Sequence, residues 1–114
     1  DEILIKENHI TSEINLKKLI TKANKTNKVI TVEIENLNQL KVILGFKFKR
    51  ILFDNMSPKL LSKCLKLCKN KYETEYSGNV NLKNIHKISR TGINRISVGS
   101  LTHSPKSFDS TLLI

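Results

Sequence analysis

Ile51-Leu52-Phe53-Asp54-Asn55-Met56-Ser57-Pro58 decides the reading of this chain. Three apolar residues run into Asp54 and Asn55, and Ser57-Pro58 then opens a segment of helical apolar period. The pattern predicts a buried strand, a loop tip carrying an acid and an amide, and a helix capped by serine with proline at its first position. A carboxylate at the end of a buried strand is costly unless something uses it. In folds that alternate strand and helix, that edge carries the chemistry.

The same unit recurs on both sides. Upstream, Ile3-Leu4-Ile5 ends near Lys6, and Leu16, Leu19, Ile20 and Ala23 follow at helical spacing, with Ser12 or Asn15 as cap. Val29 to Ile34 is strand-like; Ile30, Val32 and Ile34 share one face, while Thr31, Glu33 and Glu35 share the other. Leu37, Leu40 and Leu44 mark the next helix, with Gly45 as its expected C-cap. Downstream, the helix from Pro58 runs to about Lys69, and Tyr72 to Tyr76 is the next strand. Leu82, Ile85 and Ile88 mark a helix closed by Gly92, and Arg95 to Val98 is the last clear strand. The expected fold is α/β: alternating βα units with about five parallel strands, forming a large part of an incomplete α/β barrel.

Composition narrows the function. The chain has 114 residues, 39% hydrophobic and 26% charged, which suits one domain with a modest core. It opens on Asp1 and runs straight into an apolar strand, so it is expected to begin inside a larger protein. No apolar run approaches membrane-spanning length, and no membrane partner is expected. Lysine and arginine number 20 against 10 acids, a formal charge of +10. The lysines are scattered, with no basic block and few aromatics, so no nucleic-acid partner is expected; a positive field also suits an anionic small substrate. Cys64 and Cys68 fall on an i, i+3, i+4, i+7 stripe with Leu61 and Leu65, the pattern of reduced core residues in a reducing compartment.

Polar groups stand at successive strand ends: Lys6, Glu33, Asp54, Ser77-Gly78 and Gly99. Five in register make a common rim, the active-site face of a βα barrel. Glu33 and Asp54 can bind a divalent metal held mainly by substrate oxygens, or accept hydrogen bonds from sugar hydroxyls. The competing reading pairs them with Lys6 in a structural ion network. Ser77-Gly78-Asn79 and Gly99-Ser100-Leu101 are short glycine loops next to expected helix starts, which can cradle a phosphate. His9 and His103 are further candidates, and His86 is expected to be exposed on a helix.

Five runs together resemble the quinolinate phosphoribosyltransferases: Lys6-Glu7-Asn8-His9-Ile10, Val32-Glu33-Ile34-Glu35, Leu52-Phe53-Asp54-Asn55-Met56, Glu75-Tyr76-Ser77-Gly78-Asn79, and Ile96-Ser97-Val98-Gly99-Ser100-Leu101-Thr102-His103-Ser104. The resemblance implies that residues 1–114 are the C-terminal part of the barrel domain, with an N-terminal domain and the first barrel strands outside this sequence. It implies transfer of phosphoribose from phosphoribosyl pyrophosphate to quinolinate, with Mg2+, giving nicotinate mononucleotide, pyrophosphate and carbon dioxide in NAD synthesis. Lys6 would bind substrate, Glu33 and Asp54 would lie near the ribose hydroxyls and magnesium-bound pyrophosphate, and Ser77, Gly78, Asn79, Gly99, Ser100 and Leu101 would surround the 5′-phosphate with His103 close by. Lys6, Glu33 and Asp54 would be the catalytic set. A cytoplasmic homodimer or higher homo-oligomer is implied, with part of an arginine-rich quinolinate pocket supplied by the other subunit. Asn79 stands where the family often has a second glycine, and asparagine tolerates unusual backbone angles. Three other readings remain: a molybdenum-transport-associated pyrophosphorylase paralogue, a basic nucleic-acid-binding module, and a decayed remnant with no activity, against which the intact set of motifs argues.

Overall fold

A computed structural model describes residues 2–6, 13–97 and 111–113. Strands and helices alternate: β1 (Glu2–Lys6), α1 (Glu13–Asn24), β2 (Val29–Ile34), α2 (Leu37–Ile43), β3 (Arg50–Asp54), α3 (Pro58–Cys68), β4 (Glu73–Ser77), α4 (Ile85–Ser89), β5 (Arg95–Ser97) and β6 (Thr111–Leu113). All six strands form one sheet in sequence order, β1 to β6. The first five pair parallel, and β6 adds antiparallel to β5. A doubly wound sheet reverses its strand order part-way. Here the order never reverses, so right-handed crossovers place the helices on one face, the winding of a βα barrel.

Alternation sorts the side chains. Ile5, Ile30, Val32, Ile34, Ile51, Phe53, Tyr76 and Ile96 face the helices and join Leu16, Ile20, Leu40, Ile43, Leu61, Cys64, Cys68 and Ile88 in one buried core. The other face of the sheet is polar. Lys6, Glu33, Leu52, Glu75 and Arg95 pair successively across β1 to β5 and form one row. Leu4, Thr31, Arg50 and Glu73 form the row beneath. There Arg50 Nη1 donates to Glu2 and Nη2 donates to Glu73 at 3.0 Å. Burial disfavours the Arg50 charge, but the bonds and charges of Glu2 and Glu73 outweigh it and hold the guanidinium pKa above its usual value. Arg50 Nε and Thr31 Oγ1 are buried without a partner among the described residues.

Several local expectations needed correction. Asn15 is inside α1 and does not cap it, while Ser12 lies outside the described residues. Leu19 sits on the flank of the helix and is exposed. Helix α2 ends at Leu44 in right-handed conformation, so Gly45 is no left-handed cap. Leu82 lies in the turn before α4 and is 84% exposed; only the short segment Ile85–Ser89 is helical. Strand β4 is displaced by one residue, to Glu73–Ser77, because Tyr72 stacks on Phe48 and its hydroxyl donates to the Leu44 and Phe46 carbonyls. The cap on α3 is as expected: Ser57 Oγ accepts from the Leu60 amide at 3.2 Å, and Pro58 opens the helix. Both cysteines are free and buried. Burial and then the neighbouring Cys64 push the Cys68 thiol up to about 11.

Candidate functional site

Strand register brings the predicted rim residues to one end of the sheet. Lys6 ends β1 and pairs with Glu33 of β2; its Nζ lies 3.9 Å from Glu33 Oε2. Asp54 ends β3 and pairs with Ser77, the last residue of β4. Ser77 Oγ donates to Asp54 Oδ1 at 3.2 Å. From strand spacing and rise, the Glu33 and Asp54 backbones stand about 8 Å apart. The two carboxylates can therefore grip one ligand from two sides without sharing a proton.

The ion-network reading holds for half of the pair. Glu33 has Lys6 beside it, whereas Asp54 has a hydroxyl and, among the described residues, no ion pair. Lys6 remains 47% exposed and Glu33 16% exposed, so the amine is open to a ligand while the carboxylate is recessed. At 3.9 Å and with the lysine open to water, the pair is weak, on the order of 1 kcal/mol.

The two loops above Asp54 and Ser77 are fixed to each other. The Asn55 amide donates to the Ser77 carbonyl at 2.7 Å, extending the ladder one residue past the strands. Asn55 has φ 54°, a conformation that asparagine tolerates. Gly78 has φ 141°, and a Cβ there would lie 2.9 Å from Asn55 Cα. Tyr76 reaches under the loop, its hydroxyl donating to the Met56 carbonyl at 2.8 Å. Burial, then the Asp54 charge, raise the Tyr76 pKa, so the phenol stays protonated. The Asn79 carbonyl accepts from Asn84 Nδ2 at 2.7 Å, and Asn79 has no positive φ. It therefore stands in the loop without special backbone tolerance. The phosphate-cradle expectation also changes in kind. Helix α4 begins only at Ile85, so amides of the Ser77–Asn79 loop itself, not a helix start, are what a phosphate would meet.

Glu75 was not singled out in the sequence. It points to the same polar face as Glu33, two strands away, and the alternation of Thr74 and Tyr76, both buried, was the signal for it. Gly99, Ser100, Leu101, His103 and His9 lie outside the described residues. His86 is exposed on α4, as expected. Among the described residues no three His, Cys, Asp or Glu side chains converge as metal ligands. Hard oxygen donors on neighbouring strands fit Mg2+, which keeps waters and substrate oxygens in its shell and needs only one or two carboxylates. Among the described residues no helix is long and apolar enough to cross a membrane.

Known proteins match this geometry. The model of the quinolinate phosphoribosyl transferase C-terminal domain matches residues 1–113. Quinolinate phosphoribosyltransferase [decarboxylating] 1 of Nicotiana glauca is 32% identical over all of this chain and 39% of its own length. The probable nicotinate-nucleotide pyrophosphorylase [carboxylating] of Bacillus subtilis is 36% identical over 98% of this chain and 40% of its own. Among solved structures, the nicotinate-nucleotide pyrophosphorylase of Francisella tularensis superposes with a TM-score of 0.78 at 36% identity, covering 99% of this chain and 41% of that one. The chain thus spans about two-fifths of the length of the relatives it matches. By the extent of the family match, the chain belongs to the quinolinate phosphoribosyl transferase C-terminal domain family.

Proposed function

We propose that this chain is the catalytic C-terminal part of a nicotinate-nucleotide diphosphorylase (carboxylating), a pentosyltransferase. The reaction is transfer of phosphoribose from phosphoribosyl pyrophosphate to quinolinate with decarboxylation, giving nicotinate mononucleotide, pyrophosphate and CO2 for NAD synthesis. The observation that carries this reading is the paired rim, with Lys6 at Glu33 and Ser77 at Asp54 on four adjacent parallel strands. The relatives named for quinolinate favour that base over the transport-associated paralogue.

Each residue then has a task. Asp54, held by Ser77, and Glu33 accept hydrogen bonds from the ribose hydroxyls and fix the ring. As pyrophosphate departs, the anomeric carbon becomes cationic, and two preorganised carboxylates favour that charge. Lys6 lies against an anionic part of the substrate. The loop of Ser77, Gly78 and Asn79, with Gly99, Ser100, Leu101 and His103, takes the 5′-phosphate. Glu33 and Asp54 would hold Mg2+, largely through water and substrate oxygens, and the ion would supply positive charge to the departing pyrophosphate. Positioning of the two substrates supplies much of the rest.

An N-terminal domain, the first barrel strands and the quinolinate-carboxylate pocket belong to sequence outside residues 1–114, and the enzyme acts in the cytoplasm as a homodimer or higher homo-oligomer. The 114-residue chain alone is inactive or nearly so. The test is nicotinate mononucleotide formation by the complete protein, wild type against Glu33→Gln and Asp54→Asn. A fall in kcat/KM of roughly 100-fold or more, with melting temperatures nearly unchanged, is expected. Wild-type protein without turnover, or variants that melt early while their folded fraction keeps normal turnover, would overturn the reading.

A further inference from the structure

The end of the sheet opposite the rim holds a second surface that the phosphoribosyl reading does not use. Three clefts open there, at the amino ends of the strands. One of about 400 Å³ carries Lys28, Lys47 and Lys49. The next, about 660 Å³, shares Phe48 and Lys49 with it and adds Lys71 and Arg95. The third, about 380 Å³, shares Asn70, Tyr72 and Asn94 with the second and adds Lys66 and Arg90. Shared walls make the three one continuous groove between α1 and α4. Among the described residues its walls carry one acid, Glu73, and that charge is already engaged by Arg50 and Lys49.

The middle of the groove is aromatic. Phe48 and Tyr72 stack with centroids 4.5 Å apart and planes 20° from parallel. The Tyr72 hydroxyl is tied to the Leu44 and Phe46 carbonyls, so the pair is rigid, and both rings are only half-buried. Asn27 and Asn70 line the same path and offer amide donors and acceptors, while Asn94 Oδ1 is taken by Thr74 and Asn24 Nδ2 donates to the Lys47 carbonyl. A cationic channel that can follow a phosphate backbone, with fixed ring surface at its centre for bases, is the pattern of single-strand recognition. A duplex would hide its base faces from such a wall.

We infer that this groove binds a single-stranded nucleic-acid segment, without sequence preference, at the end of the sheet away from the rim. The sequence conceals it because the cations come from separate parts of the chain: 28, 47 to 49, 66 to 71 and 90 to 95. Folding alone gathers them. The exposed face of α1 supplies an internal control, since Lys17, Lys18, Lys22 and Lys25 form a comparable basic patch outside the groove.

The test is fluorescence anisotropy of a labelled 12-nucleotide oligouridylate with the complete protein. Lys47→Glu/Lys71→Glu is compared with Lys17→Glu/Lys18→Glu, which removes the same charge from α1. The groove variant should bind at least tenfold more weakly, the α1 variant within twofold of wild type, and both should melt like wild type. The slope of log affinity against log salt should be about −0.7 per phosphate contacted. An equal loss in both variants would show attraction to net charge alone, and tighter binding of a duplex of the same length would remove the aromatic argument. Either result overturns the inference, as does the absence of binding at 50 mM salt, which is low enough to reveal about five phosphate contacts. Nicotinate mononucleotide formation is read separately, so this outcome and that of the enzyme reading stay distinguishable.

Discussion

Arg50 on β3 reaches across β2 to the carboxylate of Glu2 on β1, while its other terminal nitrogen holds Glu73 on β4. Strands β1 and β3 are two spacings apart, roughly 9–10 Å on a flat sheet. Bridging them draws the polar face inward. The arginine therefore supports the curl that a barrel-type sheet needs, from beneath the rim.

Removing that tie should cost stability more than chemistry. Arg50→Met is expected to lower stability by about 2 kcal/mol, from loss of two charge-assisted hydrogen bonds whose acceptors can partly rehydrate. Urea denaturation checks this. An unchanged midpoint would mean that the helix-side core alone sets the curvature.

Acid should weaken the same cluster. The hydrogen bond from Arg50 first, then the charges of Lys49, Arg50 and Arg95, hold the Glu73 carboxyl below the usual carboxylate range. Its stabilising contribution is thus complete above the unfolded-state pKa, about 4.3, and disappears as pH falls through the lower folded value. Melting temperature followed from pH 7 to pH 3 should drop less steeply for Glu73→Gln than for wild type, the two curves converging at the acid end.

At the rim, Ser77→Ala removes the hydroxyl that orients Asp54. We expect about a tenfold loss in kcat/KM in the complete enzyme, roughly one hydrogen bond's worth, with little change in melting. Restoration by Ser77→Thr would separate an orienting hydroxyl from simple packing.

Gly78→Ala should be among the more damaging single substitutions. The added carbon would meet the Asn55 backbone at 2.9 Å in a conformation that L residues rarely adopt. A destabilisation of about 2–4 kcal/mol is expected, together with altered amide chemical shifts at Asn55. If the spectrum around Asn55 is unchanged, the loops are not in contact in solution.

The thiols should be inert while the chain is folded. Burial raises both pKa values, that of Cys68 to about 11. Labelling by iodoacetamide at pH 8 should be at least 100-fold slower in buffer than in 8 M urea. Comparable rates would place the α3 core in rapid exchange with solvent.

The strand alternation made the fold legible. Val29–Ile34 states its two faces outright, and Ser57-Pro58 announces α3. The rim followed because a strand end is visible wherever an apolar run meets a charge, as at Lys6 and Asp54. What stayed hidden was spacing across the chain. Glu75 reads as one more polar residue until register sets it level with Lys6 and Glu33. The weakest elements were also missed: Leu82 fits a helical period yet is left in a turn, because Ile88 and part of Ile85 meet the core while Leu82 stays in solvent. Strand β6 is three residues long, too short to announce itself by periodicity.

The bond from the Asn55 amide to the Ser77 carbonyl, with Gly78 pressed against it, has a consequence for how such a domain diversifies. The β3–α3 and β4–α4 connections form a single casting: a residue inserted in one displaces the other. Variation in length should therefore collect at the opposite end of the sheet, in the turn between α1 and β2, where Lys25 and Thr26 donate only to the helix end just before them. New binding properties can be acquired there while the rim keeps its shape.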